Sequence, residues 1–379
     1  MSLPPYRGGL VDPSLVSPQV AFLPAGAQAT RPEELSQRLG IDPEQIALLA
    51  ANENPLGPSE RAVEAAATAV REMHRYPDPE QRKLREALAH YHGVTPEHVF
   101  VGAGSTEIIE LLVRTFAGPG QTVVGGWPTF AAYRIAAQVA GREFLTAPLS
   151  RGRLDLAGIA ALVDLRTKLV FIANPNNPTG THVGLRELVA FLNRLPPETI
   201  VVLDEAYADF VEARDYPASI RELLPGHPRL VVLRTFSKAH ALAGLRVGYA
   251  VMAPPLVRYL ELVRPAYAVS AVAEAAALAA LEDLEHVERG RRLVFRERAQ
   301  LLSSLRRLGL RPFPSQANFV CVGGLEGVCE HLERKGLLVR SLTGYGMPDA
   351  IRISVGAPEA NLRLIEALEA FLEAREGGV

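Results

Sequence analysis

The stretch "LRTFSKAHALAGLRVGYA", residues 233–250, sets Lys238 directly after Ser237 and places Arg246 eight residues further on. The 379-residue chain has only four lysines, at 83, 168, 238 and 335, so candidates for an amine nucleophile are few. A lysine in a cleft gives up its proton readily, because burial and nearby cations disfavour the ammonium, and the free amine condenses with an aldehyde. Thr235, Ser237 and Arg246 add hydroxyl and guanidinium donors suited to a phosphate. The other lysines have plainer readings. Lys83 lies on an amphipathic helix face, Lys168 starts a strand, and Lys335 precedes Gly336 at a helix end, where a cation is favoured.

Three further clusters fall at the ends of predicted strands, where open α/β sheets hold their ligands. In "GAGSTE", residues 102–107, a glycine-flanked turn opens a helix and leaves the backbone N–H groups of Gly104, Ser105 and Thr106 free for an anion. Such a turn also serves as a plain strand-to-helix joint. In "NPNNPTG", residues 174–180, two prolines and a glycine stiffen the turn, and Asn177 is able to project its amide into a cleft. In "VVLDEAYADF", Asp204 ends an apolar run, where a bare carboxylate costs several kcal/mol unless it meets a cation or donors. A protonated pyridine nitrogen is one such partner, with Tyr207 three residues on; an N-cap or an ordinary ion pair is the alternative. Together, an anion-binding helix start, an acid for a pyridinium, a Schiff-base lysine and a phosphate-gripping cluster describe pyridoxal 5′-phosphate.

These residues need a scaffold. Runs such as "TVVGG", "TKLVFIANP", "ETIVVLDEAY", "RLVVLRTFS" and "VGYAVM" read as strands buried on both faces of a mostly parallel sheet. Amphipathic stretches between them, such as "STEIIELLVRTF" and "GLRELVAFLNRL", read as helices, "SERAVEAAATAVREMH" with Ser59 as N-cap and "PEQRKLREALAHYHG" closed by Gly93. The expected class is α/β, with a smaller α+β unit in which one long or two joined helices precede the strands "NFVCVG", "LLVRSL" and "IRISVG" and a last helix. The expected division is 1–45, a Pro/Gly-rich arm and short helix packing with the small domain; 46–268, a large cofactor-binding domain; and 269–379, the small domain.

Bulk properties exclude several classes. A formal net charge of −2 gives no electrostatic case for nucleic acid or an anionic membrane. Apolar stretches are too short or too interrupted to span a bilayer, and the first 18 residues lack the apolar core of a signal peptide. Cys321 and Cys329 fit no zinc or disulfide framework, which suits a reducing cytoplasm. His90 and His92, two apart on a helix, face different ways, so no metal is expected.

From about residue 46 onward the chain resembles the fold-type I pyridoxal-phosphate aminotransferases, and within them the histidinol-phosphate aminotransferase family. The likeness runs through "AANENPLGPS", "RYPDP", "GAGSTEIIELL", "PTF", "NPNNPTG", "DEAYADF", "RTFSKAHALAGLRVGYA", "SQANFV" and "IRISVG". The resemblance implies that Lys238 holds the cofactor and moves protons, that Asp204 pairs with the ring nitrogen, and that Asn177 and Tyr207 bond the ring oxygen. It places Phe130 over the ring, where many relatives have tyrosine, and Ser105, Thr106, Thr235, Ser237 and Arg246 on the phosphate. Tyr76 of "RYP" would reach the phosphate in a neighbouring subunit, implying a homodimer with shared sites. Arg352 and Arg340 would hold the anionic end of the substrate.

Two departures bear on the substrate. Where relatives commonly carry a Pro-Tyr pair near the N-terminus, this chain aligns Ala25, so either Tyr6 loops back or the substrate bears no phosphate. His240 stands where relatives usually have an aromatic residue and reads as a packing residue. The implied reaction is transamination of L-histidinol phosphate with a 2-oxo acid, 2-oxoglutarate. An aromatic amino acid aminotransferase is the alternative suggested by Ala25, Phe130 and the "GW" before "PTF"; threonine-phosphate decarboxylation on the same scaffold is a third.

Overall fold

The computed structural model describes residues 15–21, 23 and 31–376. Tyr6 and Ala25 lie outside them. Among the described residues eleven strands occur: β1 (Ala47–Leu49), β2 (Val99–Gly102), β3 (Thr122–Trp127), β4 (Glu143–Pro148), β5 (Thr167–Ala173), β6 (Ile200–Asp204), β7 (Leu230–Thr235), β8 (Gly248–Met252), β9 (Phe319–Val322), β10 (Leu337–Ser341) and β11 (Ile351–Ser354). Seven form one sheet in the order β2-β8-β7-β6-β5-β3-β4, parallel except for β8, which runs against both neighbours. The α/β expectation, with a mostly parallel sheet, is met.

The continuous apolar runs are explained by this sheet. Side chains alternate across a strand, and here both faces meet helices. Ile200 and Val202 pack with Leu169, Phe171, Val231 and Leu233 on one side. Val201 and Leu203 pack with Val170, Ile172 and Val232 on the other. Burying each such side chain contributes about 1.5–3 kcal/mol, so the sheet's centre is rigid. The chain then leaves it at Ala173, Asp204 and Thr235, the carboxyl ends of three adjacent parallel strands.

The second sheet has the order β1-β10-β11-β9 and packs with the helices Leu284–Arg307 and Pro358–Glu376 around Val294, Leu301, Phe319, Ile353 and Leu364. Packing draws the border between the two units differently from the expected 45/46 and 268/269. Residues 47–49 pair in parallel with β10 and so belong to the smaller sheet. The helix Ala271–Glu282 buries Ala273, Ala276, Ala277 and Ala280 in the larger core, because alanine lets its backbone approach closely. The long helical stretch breaks at Asp283, whose carboxylate accepts the His286 N–H and caps the next helix.

Local signals are realised where expected. Ser59 Oγ accepts the Ala62 N–H at the start of Glu60–Val70, and Gly93 at φ 69° ends Arg82–His92. β1 and β4 had no clear signature. β1 is three residues long, and β4 is an edge strand with an irregular burial pattern.

Candidate active site

A cavity of about 850 Å³ lies at the ends of β5, β6 and β7 and is closed on its far side by β10 and β11. Its lining gathers twelve of the expected residues: Ser105, Thr106, Phe130, Asn177, Asp204, Tyr207, Thr235, Ser237, Lys238, Arg246, Arg340 and Arg352. Gly104 sits just behind it. Its φ is +81°, and a Cβ there would lie 2.5 Å from Arg246 Nη2, so only glycine lets the guanidinium rest over the helix start. Gly248 serves the same approach from β8, since a Cβ would come within 2.6 Å of the Ser105 nitrogen. The backbone N–H groups opening the helix Gly104–Phe116, the Arg246 guanidinium and the hydroxyls of Thr235 and Ser237 thus converge on one corner, a setting for a phosphate.

The rigid turn after β5 sorts its asparagines. Asn174 exchanges hydrogen bonds with Val183, and Asn176 donates to Thr179 Oγ1 while accepting from Thr129, so both brace the loop. Only Asn177 turns toward the cavity. Its Oδ1 accepts from Arg352 Nη1 at 2.6 Å and its Nδ2 donates to Tyr207 Oη at 3.3 Å, which fixes the amide's orientation. Tyr207 Oη also accepts from Asn52 Nδ2 at 3.0 Å. With both lone pairs engaged, the Tyr207 proton is left to donate into the cavity.

Asp204 and Arg352 are both buried and face this space without a counterion among the described residues. Asp204 is 5% exposed and accepts the Tyr133 hydroxyl at 2.7 Å and the Ala206 N–H at 3.1 Å, with no basic side chain in ion-pair range. Burial pushes its carboxyl up to about 6, against the lowering effect of those two donors. Arg352 is 7% exposed; it donates to Asn177 and the Ala50 carbonyl, and its Nε is buried without a partner. Arg340 stands in register opposite Arg352 across β10 and β11. Like charges directly opposite are destabilising in a sheet, and an anion between them removes the penalty.

Lys238 lies between these poles. Its Nζ donates to the Ala51 carbonyl at 2.9 Å and has no carboxylate in ion-pair range among the described residues. Burial, helped by Arg352 and Arg246, pulls its pKa down to about 8, so a free amine is accessible near neutrality. A carboxylate for a ring nitrogen, a hydroxyl for a ring oxygen, a phosphate corner and a nucleophilic amine are the groups a phosphorylated pyridine aldehyde requires. The residues fit pyridoxal 5′-phosphate.

Tyr76, expected to act in a neighbouring subunit, and His240, expected to pack, both lie off the cavity lining. Tyr76 is 80% exposed and stacks on Tyr267 at 4.4 Å, away from the cavity wall. His240 packs against Phe236 at 4.8 Å and does not line the cavity. Among the wall residues without a role in the sequence analysis, Asn52, Tyr345 and Tyr133 make specific contacts. Asn52, at φ 56°, holds Tyr207 and Ser354 together; the quoted "AANENP" string was its only signal. Tyr345 enters on a turn after β10, stacked on Trp127 at 5.6 Å. Tyr133 sits in an ordinary helix, Ala132–Val139, and nothing local marks it.

The chain is similar to known proteins over most of its length. A histidinol-phosphate aminotransferase of Anaeromyxobacter sp. (strain Fw109-5) is 44% identical over 95% of this chain and 100% of its own length. One from Symbiobacterium thermophilum is 43% identical over 90% of this chain and 94% of its own. The crystal structure of histidinol-phosphate aminotransferase from Sinorhizobium meliloti in complex with pyridoxal-5′-phosphate superposes with a TM-score of 0.87 at 30% identity, covering 95% of this chain and 98% of that one. A family profile described as aminotransferase class I and II matches residues 44–368, and the chain belongs to that family.

Proposed function

We propose that the chain is a pyridoxal 5′-phosphate-dependent transaminase that transfers the amino group of L-histidinol phosphate to 2-oxoglutarate, giving imidazole-acetol phosphate and L-glutamate in histidine biosynthesis. The observation that carries the substrate class is the in-register pair Arg340 and Arg352, free of carboxylate partners among the described residues. Two guanidiniums suit a phosphate dianion better than they suit the single carboxylate of an aromatic amino acid. The same pair accepts the distal carboxylate of glutamate in the return half-reaction. The names and extensive likeness of the relatives support the same reading.

The cofactor, when bound, supplies an electron sink for the carbon next to the amine. This chain's residues do the rest. Lys238 Nζ would be the attachment point and, as a free amine, would carry the Cα proton as a general base of suitable pKa. Asp204 would pair with a protonated ring nitrogen, while Asn177 and Tyr207 would offer N–H and O–H to the ring oxygen. Phe130 would cover the ring face. Ser105, Thr106, Thr235, Ser237 and Arg246 would hold the phosphate.

We further propose a homodimer in the cytoplasm in which Tyr76 reaches the site of the partner subunit. Support comes from the solvent-facing apolar side chains of Met73, Tyr76 and Leu262, each 77–80% exposed, which a second copy would cover. No helix among the described residues is long and apolar enough to cross a membrane.

Comparing kcat/KM for histidinol phosphate with that for phenylalanine tests the substrate. A preference for histidinol phosphate of about a hundredfold or more is expected from the second guanidinium contact. Preference for phenylalanine would replace this reading with the aromatic one, and CO₂ release from threonine phosphate without any keto acid would replace it with the decarboxylase.

A further inference from the structure

The Tyr133 side chain is fully buried, and its hydroxyl donates to Asp204 Oδ2 at 2.7 Å. Its ring is clamped, stacked on Phe171 at 4.5 Å with 10° between planes and edge-on to Phe130 at 5.6 Å. Phe171 is held in turn by the middle of β5. The phenol is therefore held by this stack against a strand of the central sheet. The other oxygen, Oδ1, is fixed by the Ala206 N–H. Each oxygen of Asp204 thus has one neutral donor, and each has a lone pair left over for the cavity.

We propose that Tyr133 is a positioning residue that keeps Asp204 ionised and aimed into the cavity, so that the proton shared between Asp204 and the cofactor's ring nitrogen resides on the nitrogen. This rests on the reading of Asp204 as the ring's partner. The physical reason is a competition. A buried carboxylate favours its neutral form, and a neutral acid facing a neutral pyridine would abolish the positive charge that makes the ring an electron sink. A hydrogen bond from a phenol favours the anion, by about tenfold or more for one charge-assisted bond. The charged and titratable neighbours do not substitute for it. Glu205 points to the opposite side into its own pair with Arg234, Lys238 has no bond to Asp204, and the Tyr207 hydroxyl is bound to Asn52 and Asn177. Phe130, the other ring on this side of the cavity, offers no donor.

The test uses cofactor-loaded protein with the ring nitrogen labelled with ¹⁵N, read by NMR at neutral pH. In Tyr133→Phe the ratio of protonated to neutral ring nitrogen is expected to fall about tenfold, with kcat falling and KM for the amine little changed. Replacing Tyr133 by 3-fluorotyrosine, a more acidic phenol of nearly the same size, is expected to move the ¹⁵N signal the other way, and it decides the matter if Tyr133→Phe does not fold. Asp204→Asn is the reference and should shift the signal fully to the neutral position. If Asp204→Asn shifts it and neither change at Tyr133 does, Tyr133 is merely structural and the inference is overturned. If Asp204→Asn leaves it unmoved, Asp204 is not the ring's partner, and the underlying reading falls with the inference.

Discussion

Asp204 and Glu205 are consecutive, both buried, and opposite in what surrounds them. Glu205 is closed: Arg234 grips Oε2 through Nε at 2.8 Å and Nη2 at 2.6 Å, and Ser219 Oγ donates to Oε1. Asp204 is open: it has two neutral donors and no cation among the described residues, and it faces the cavity. The chain reverses side between them because β6 ends there and successive side chains point apart. A buried acid whose charge is matched inside the protein ties strands together. One left unmatched beside a cavity is waiting for a ligand's charge, and the desolvation that raises its pKa to about 6 is relieved when that cation arrives.

The contrast is open to attack at both residues. Glu205→Gln should cost about 3 kcal/mol or more, because it strands the Arg234 guanidinium between β6 and β7. Thermal melting of the cofactor-free protein measures this, and an unchanged Tm would mean that the closed pair holds nothing. Asp204→Asn should leave that Tm unchanged or raised, since it removes an unmatched buried acid, yet lower kcat about a hundredfold through loss of ring-nitrogen protonation. Equal destabilisation by the two substitutions would erase the distinction. A third, smaller effect concerns the amine opposite. Because burial and the neighbouring arginines depress Lys238 to about 8, its unprotonated form grows as pH rises toward 8 and saturates above it. The initial rate of covalent cofactor uptake by apoprotein should therefore climb about tenfold per pH unit below that value and then level off. A climb continuing toward the ordinary lysine range would show that Lys238 is not desolvated as described.

Much of this was legible because it is local. The apolar strands of the large sheet, the glycine-flanked helix start, the Asn-Pro turn and the lysine with its hydroxyl neighbours are each written in a few adjacent residues. The pairing of Asn177 with Arg352, 175 positions apart, is not. Nor is the affiliation of residues 47–49 with β10, or of the alanine helix Ala271–Glu282 with the larger core: a three-residue strand has no periodicity to read, and an all-alanine face fits either layer.

The identity of the chemical groups, and which strand or helix end each one stands on, follows from the amino-acid order alone, because backbone conformation and side-chain type are short-range properties. Which of those groups lack a counterion, and which unremarkable tyrosine steadies the acid, depends on three-dimensional packing. Asp204 and Tyr133 are 71 residues apart in the chain and 2.7 Å apart in the fold. Charge balance and hydrogen-bond supply are properties of the space around a group, and that space is assembled only when the sheet and its helices close upon it.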